Sequence, residues 1–190
     1  MQNQGLRRGA LQAALAALAA ASVLALPTQA QDTDPTGSCA YQPSIGDLVG
    51  VYNATVGPGA LTSGGATIPM ATIETYQTTL AVMDGGLVMI TEGSPTISLA
   101  LVGGEEPDWV GPDNVAGTPV VSTADLGLAL GCDENSLVRL IGTGIATSQE
   151  GRQFEFTIRL IAAVSGSLVG GMSWTIDGMT MRQRLLFSGG

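Results

Sequence analysis

A period of two dominates the C-terminal part of the chain, where Leu168, Gly170, Met172, Trp174 and Ile176 alternate with Val169, Gly171, Ser173, Thr175 and Asp177. That is the spacing of a half-buried β-strand. Asp177-Gly178 then supplies a two-residue type I′ turn, because both residue types tolerate a positive φ. The turn sets Ile176 opposite Met179, Trp174 opposite Met181 and Met172 opposite Gln183. The large side chains share one face, and Ser173, Thr175, Thr180 and Arg182 share the other, so turn and hydrophobic pattern predict the same register.

A second hairpin is predicted from Leu137–Thr147 and Arg152–Ala163. A four-residue loop, Ser148 to Gly151, sets Ile145, Thr143 and Ile141 opposite Phe154, Phe156 and Ile158. Between the two hairpins, a two-residue turn at Ser165-Gly166 would mix apolar and polar faces. A three-residue loop, Ser165 to Ser167, sets Leu160 opposite Met172 and keeps them apart. Upstream, Leu48–Val56, Thr72–Met83, Leu87–Thr91 and Pro95–Val102 read as strands, Asp84-Gly85-Gly86 as a turn, and Asp125–Leu130 as a weaker strand. No amphipathic run is long enough for a helix.

Eight to nine strands in succession, with short connections, predict an all-β antiparallel up-and-down meander. Glycines at 142, 144, 170 and 171 allow the sharp coiling that a closed barrel needs, and a β-sandwich is the alternative. An outer-membrane barrel fits poorly. Its lipid band requires aromatic girdles, whereas aromatics make up 4% of this chain and the strands carry Glu155, Arg159, Arg182 and Arg184. In shape the small barrel resembles the calycin architecture of lipocalins and avidins. Gly50-Val51-Tyr52-Asn53 resembles the glycine-aromatic opening of their first strands, with a tyrosine where those families carry tryptophan. The resemblance implies shape alone, an up-and-down barrel able to hold one small ligand.

The N-terminus has a different pattern. Arg7 and Arg8 precede an Ala/Leu-rich stretch that ends at Pro27, and Thr28-Gln29-Ala30 offers small residues for a peptidase. Residues 1–30 therefore read as a cleavable signal peptide of the Sec or twin-arginine type, too short in its apolar run to span a bilayer. Residues 31–46 form an irregular leader and 47–190 a single β domain, periplasmic or secreted, with no membrane span after cleavage. In an exported protein two cysteines, Cys39 and Cys132, read as a disulfide. The bridge closes a loop of about 94 residues, for which chain entropy gives at most about 4 to 5 kcal/mol.

Charge removes several functions. The whole chain carries 16 carboxylates, no histidine and a net charge of −9. Beyond the leader the cations are Arg139, Arg152, Arg159, Arg182 and Arg184, so the half of the domain before Arg139 is purely acidic and repels nucleic acid and anionic membrane. Without histidine, and without lysine after residue 30, no Ser-His-Asp, Cys-His, Ser-Lys or Schiff-base site can form. No metal site or cofactor is expected, because no calcium-loop spacing occurs. Carboxylate chemistry remains, and only Gly103–Pro119, with Glu105, Glu106 and Asp108 around Trp109, has the density for it.

Two functional classes follow. One is a binding module that carries or senses a small apolar or amphipathic ligand in a cavity lined by Trp174, Met172, Met181 and Phe156, with the amide of Gln183 orienting the ligand's polar group. The other is a non-catalytic envelope protein with a filled barrel, docking a partner protein through its acidic face or the 103–119 loop.

Overall fold

A computed structural model describes residues 37–103, 122–148 and 150–189, all within the compact unit Thr33–Gly190. The expected signal peptide lies outside the described residues. So do Trp109, Glu105, Glu106 and Asp108 of the 103–119 loop.

Among the described residues nine strands run in chain order: β1 (Gly50–Ser63), β2 (Ala66–Met70), β3 (Glu74–Met83), β4 (Gly86–Thr91), β5 (Ile97–Val102), β6 (Val138–Thr147), β7 (Gln153–Val164), β8 (Ser167–Ile176) and β9 (Met179–Gly189). Every pairing is antiparallel, and β9 returns to β1 through pairs from Tyr52↔Gly189 to Thr62↔Thr180. The result is a closed eight-stranded barrel with β2 as the extra strand. An even number of strands in an up-and-down meander brings the first and last together antiparallel, so closure leaves no free barrel edge.

Strand β2 escaped the sequence reading. β1 runs on past Val56, shifts register between Val56 and Gly59, and pairs its second half with β2 along the edge that β3 occupies lower down. Pro58, which has no N–H to give the ladder, sits within that irregularity. Gly64-Gly65, both at positive φ, turn the β1–β2 hairpin as Asp84-Gly85 and Asp177-Gly178 turn theirs. The predicted β8–β9 register holds at every pair, including Trp174↔Met181 and Met172↔Gln183.

Two predicted registers are corrected among β6–β8. In β6–β7 the pairs are Ile145↔Glu155, Gly144↔Phe156 and Gly142↔Ile158, one residue away from the expected set. The interior is too narrow for isoleucines on β6 opposite phenylalanines on β7, so small residues face large ones and Ile145 is left 59% exposed. In β7–β8 the turn is Ser165-Gly166 after all, with Val164 opposite Ser167. A register shift between Ala162 and Val164 then restores the faces, giving Leu160↔Gly170 and Ile158↔Met172. A bulge does what a third loop residue was expected to do.

Asp125–Leu130 is not a strand but part of helix α1 (Thr123–Leu130). Ser122 caps it: the Ser122 N–H and hydroxyl both donate to the Asp125 carboxylate, and the Asp125 N–H donates to Ser122 Oγ. Gly131 ends it at φ 67°.

The barrel core is built of inward side chains, among them Leu80, Leu140, Leu160, Leu168 and Phe187. A 3-10 turn, η1 (Ile45–Leu48), lies at the end of the barrel where β1 begins. Its Leu48 is buried, and the Tyr52 hydroxyl donates to the Leu48 carbonyl at 2.9 Å. Tyr52 also meets Phe187 edge-on, at 6.2 Å between centroids. Burial, with a smaller contribution from Tyr41, holds the Tyr52 phenol above its ordinary pKa.

A second, smaller core lies on the outer wall, where Leu126 and Leu130 of α1 and the expected Cys39–Cys132 disulfide cover Ile161, Val169, Ile141 and Val102. Arg139 is enclosed there at 2% exposure. It donates from Nη2 to the Glu134 carbonyl at 2.8 Å and from Nη1 to the Leu137 carbonyl at 3.4 Å.

Candidate functional site

At the end of the barrel away from η1, where β1 leaves for the β2 hairpin and β3 enters, the interior is not filled. A cavity of about 490 Å³ opens there. It falls within the range of small-molecule sites, roughly 300–1,000 Å³. Its wall is largely apolar: Ala54 and Val56 from β1, Met89 from β4, Ile97 from β5, Ile158 from β7, and Leu185 and Phe187 from β9. Three of the residues predicted for a cavity, Phe156, Met172 and Gln183, lie on this wall. The other two do not. Trp174, opposite both Phe156 and Met181, stacks at a tilt on Phe154 with centroids 5.1 Å apart, and Met181 is buried.

Alternation along β9 sets Gln183 on the inner face, between Met181 and Leu185, while Arg182 and Arg184 point to the outer surface. The Gln183 amide makes no hydrogen bond to any described residue, although it lines an apolar space. A polar group in such a place lowers its free energy by finding a ligand or water.

The remaining polar lining escaped the sequence reading. Thr78 of β3 and Thr91 of β4 face one another across the strand pair with hydroxyls 2.9 Å apart. Thr78 is almost wholly buried. The turn is Asp84-Gly85 and not the expected Asp84-Gly85-Gly86, which would set Thr79 opposite Thr91; with Gly86 in β4, counting outward from Met83↔Gly86 pairs Thr78 with Thr91. Tyr76, one inward position further along β3, donates its hydroxyl to the carboxylate of Glu74, and both line the opening. That bond, before burial and the carboxylate's own charge, raises the Tyr76 pKa above its ordinary value. Tyr76 and Glu74 reach the cavity because β3 pairs with β1, a pairing that crosses the unread β2 hairpin.

Charge at this end is acidic. Among the described residues Glu74 is the one charged side chain in the cavity wall, and no arginine is in it. Glu92 sits in the β4–β5 connection between two lining residues, Thr91 and Ser94. On the far rim Arg152 is already paired with both Glu150 and Asp177.

On the outer wall a second depression of about 470 Å³ lies between α1 and β1, with Leu126, Ile161, Val169, Ile73 and Arg184 in its lining. Among the described residues no group of three His, Cys, Asp or Glu could hold a metal ion. No helix among them is long and apolar enough to cross a membrane.

Comparisons with protein-family models, with curated proteins and with solved structures find no match to this chain.

Proposed function

We propose that this chain is an exported binding module whose barrel takes up a small apolar or amphipathic ligand. The observation that carries the reading is the cavity of about 490 Å³ at the open end of an otherwise close-packed barrel. Interiors normally pack to crystal-like density, and an apolar void loses contacts that a ligand would restore. A filled barrel serving only as a docking scaffold has no use for such a space. The Gln183 amide, with the Thr78–Thr91 hydroxyl pair, gives the ligand's polar end donors and acceptors to meet, while Phe156, Met172, Ile158 and Met89 receive its apolar body. The signal-like N-terminus and the disulfide support an extracytoplasmic setting for the carrier.

Native mass spectrometry of protein purified from its own source, compared with the denatured mass, tests the reading. A non-covalent mass lost on denaturation is expected, together with uptake of an environment-sensitive apolar dye that Val56→Trp abolishes by filling the cavity. A bare polypeptide that takes up no dye, or dye uptake indifferent to Val56→Trp, overturns it.

A further inference from the structure

We infer that the cavity selects amphiphiles bearing an amine and disfavours those bearing a carboxylate, an inference that rests on the carrier reading above. A ligand entering the barrel brings its polar head to the opening or into the wall, and either place must compensate the head's lost hydration. A carboxylate head would find no cation among the described lining residues. That lining contains no arginine, Arg182 and Arg184 lie on the other side of the sheet, and Arg152 at the rim is shared between Glu150 and Asp177. Taking an anion out of water without a partner is strongly unfavourable.

An ammonium head meets the reverse situation. The Glu74 carboxylate lines the opening, the Tyr76 ring stands two residues along the same strand, and Gln183 supplies an amide oxygen from β9, on the other side of β1. A carboxylate, an aromatic face and an amide oxygen together form a recognition set for an alkyl ammonium. The surrounding field points the same way. Glu92 flanks the lining at Thr91 and Ser94, and Glu150 and Asp177 outnumber the single Arg152 on the rim, so cations are concentrated at the entrance. Because Glu74 and Tyr76 are exposed, the preference is moderate rather than absolute.

The test uses three ligands that share one alkyl chain: dodecylamine, dodecanol and dodecanoate. Each competes at neutral pH, below its micellar concentration, with a bound apolar dye on the full protein. The amine is expected to displace the dye at a concentration roughly tenfold below that of the acid, with the alcohol between them. Glu74→Gln is expected to bring the amine-to-alcohol ratio close to one. Dodecanoate binding as well as the amine, or a ratio unmoved by Glu74→Gln, overturns the inference and leaves the carrier reading standing. Amine binding that survives Val56→Trp is surface adsorption and also overturns it. If none of the three ligands displaces the dye, the carrier reading itself fails.

Discussion

Strand β6 places glycine where a barrel wall would be expected to carry a branched side chain. A Cβ at Gly142 would stand 2.7 Å from Leu99 Cδ2, 2.8 Å from Ile97 Cγ2 and 2.8 Å from the Ser98 carbonyl oxygen. Two opposing effects act on Gly142→Ala. The smaller unfolded-state entropy of alanine favours folding by about 0.4–1 kcal/mol. Overpacking against a backbone oxygen and two side chains costs about 1–3 kcal/mol, because the carbonyl belongs to a paired strand and cannot swing aside. Overpacking wins, and urea denaturation is expected to show a net loss of about 1–2 kcal/mol at unchanged m-value. A gain would show slack between β5 and β6. The same glycines explain which residue assignments were legible. Gln183 and Met172 could be placed inward because a two-residue turn and large alternating side chains fix β8–β9, and Phe156 because Phe154, Phe156, Ile158 and Leu160 alternate along β7. On β6 beyond Leu140 the large residues, Ile141 and Ile145, point outward and the inward positions are Gly142, Gly144 and Ala146. Hydrophobicity alone reads that strand inside out, since room for Phe156 is made by an absence of side chain.

At the scale of elements, α1 shows how period and capping compete. Leu126, Leu128 and Leu130 alternate as in a strand, yet in the helix Leu126 and Leu130 share one face at i and i+4 and pack on the outer core. Leu128 is left 66% exposed. Eight residues give periodicity little to work with. The decisive signals were Ser122 three residues before Asp125, and Gly131 just past the end. The Ser122 side chain first, and its backbone N–H second, hold the Asp125 carboxyl below its ordinary pKa of 3.8. A depressed folded pKa contributes stability that is present above the unfolded value and lost as pH falls through the folded one. The helix is therefore expected to loosen on acidification below about pH 4, with the analogous Ser44–Asp47 pair of η1 acting in the same window. In Ser122→Ala, NMR titration of Asp125 should return its carboxyl toward the ordinary value and flatten that part of the acid limb. An unshifted Asp125 would mean that the capping box does not persist in solution. The β7 bulge was less accessible still: only the demand that faces match signals it, and a longer loop meets that demand equally well.

For the molecule as a whole, two devices join distant parts of the chain, and they act on different parts of the fold. The β1–β9 pairing closes the barrel by hydrogen bonds between strands at opposite ends of the described chain, and nothing in the local pattern of either strand announces it. The disulfide links residues 93 apart, joining the segment before η1 to the one just after α1, so it brackets β1–β5 and leaves β6–β9 outside its loop. It lies on the outer wall with Ile161 and Leu137, on the opposite side of the sheet from the cavity. Around it the Asp133 N–H donates to the Gly37 carbonyl at 2.8 Å, and the Cys39 N–H to Ser136 Oγ at 2.9 Å. These bonds tie down the leader but contribute nothing to closure. Removing the bridge in a Cys39→Ala/Cys132→Ala double variant frees the unfolded chain, at a cost of about 2–4 kcal/mol. Domains of this size hold about 5–15 kcal/mol in all, so the barrel should survive the loss with a reduced margin. The expected result is an earlier denaturant midpoint, an unchanged β-sheet circular dichroism spectrum at room temperature, and dye affinity in the cavity equal to that of the parent. Loss of the β spectrum would place the bridge in the barrel's closure. Loss of dye binding with the spectrum intact would show that the outer wall and the cavity are mechanically coupled through β7 and β8, the strands whose two faces belong one to each.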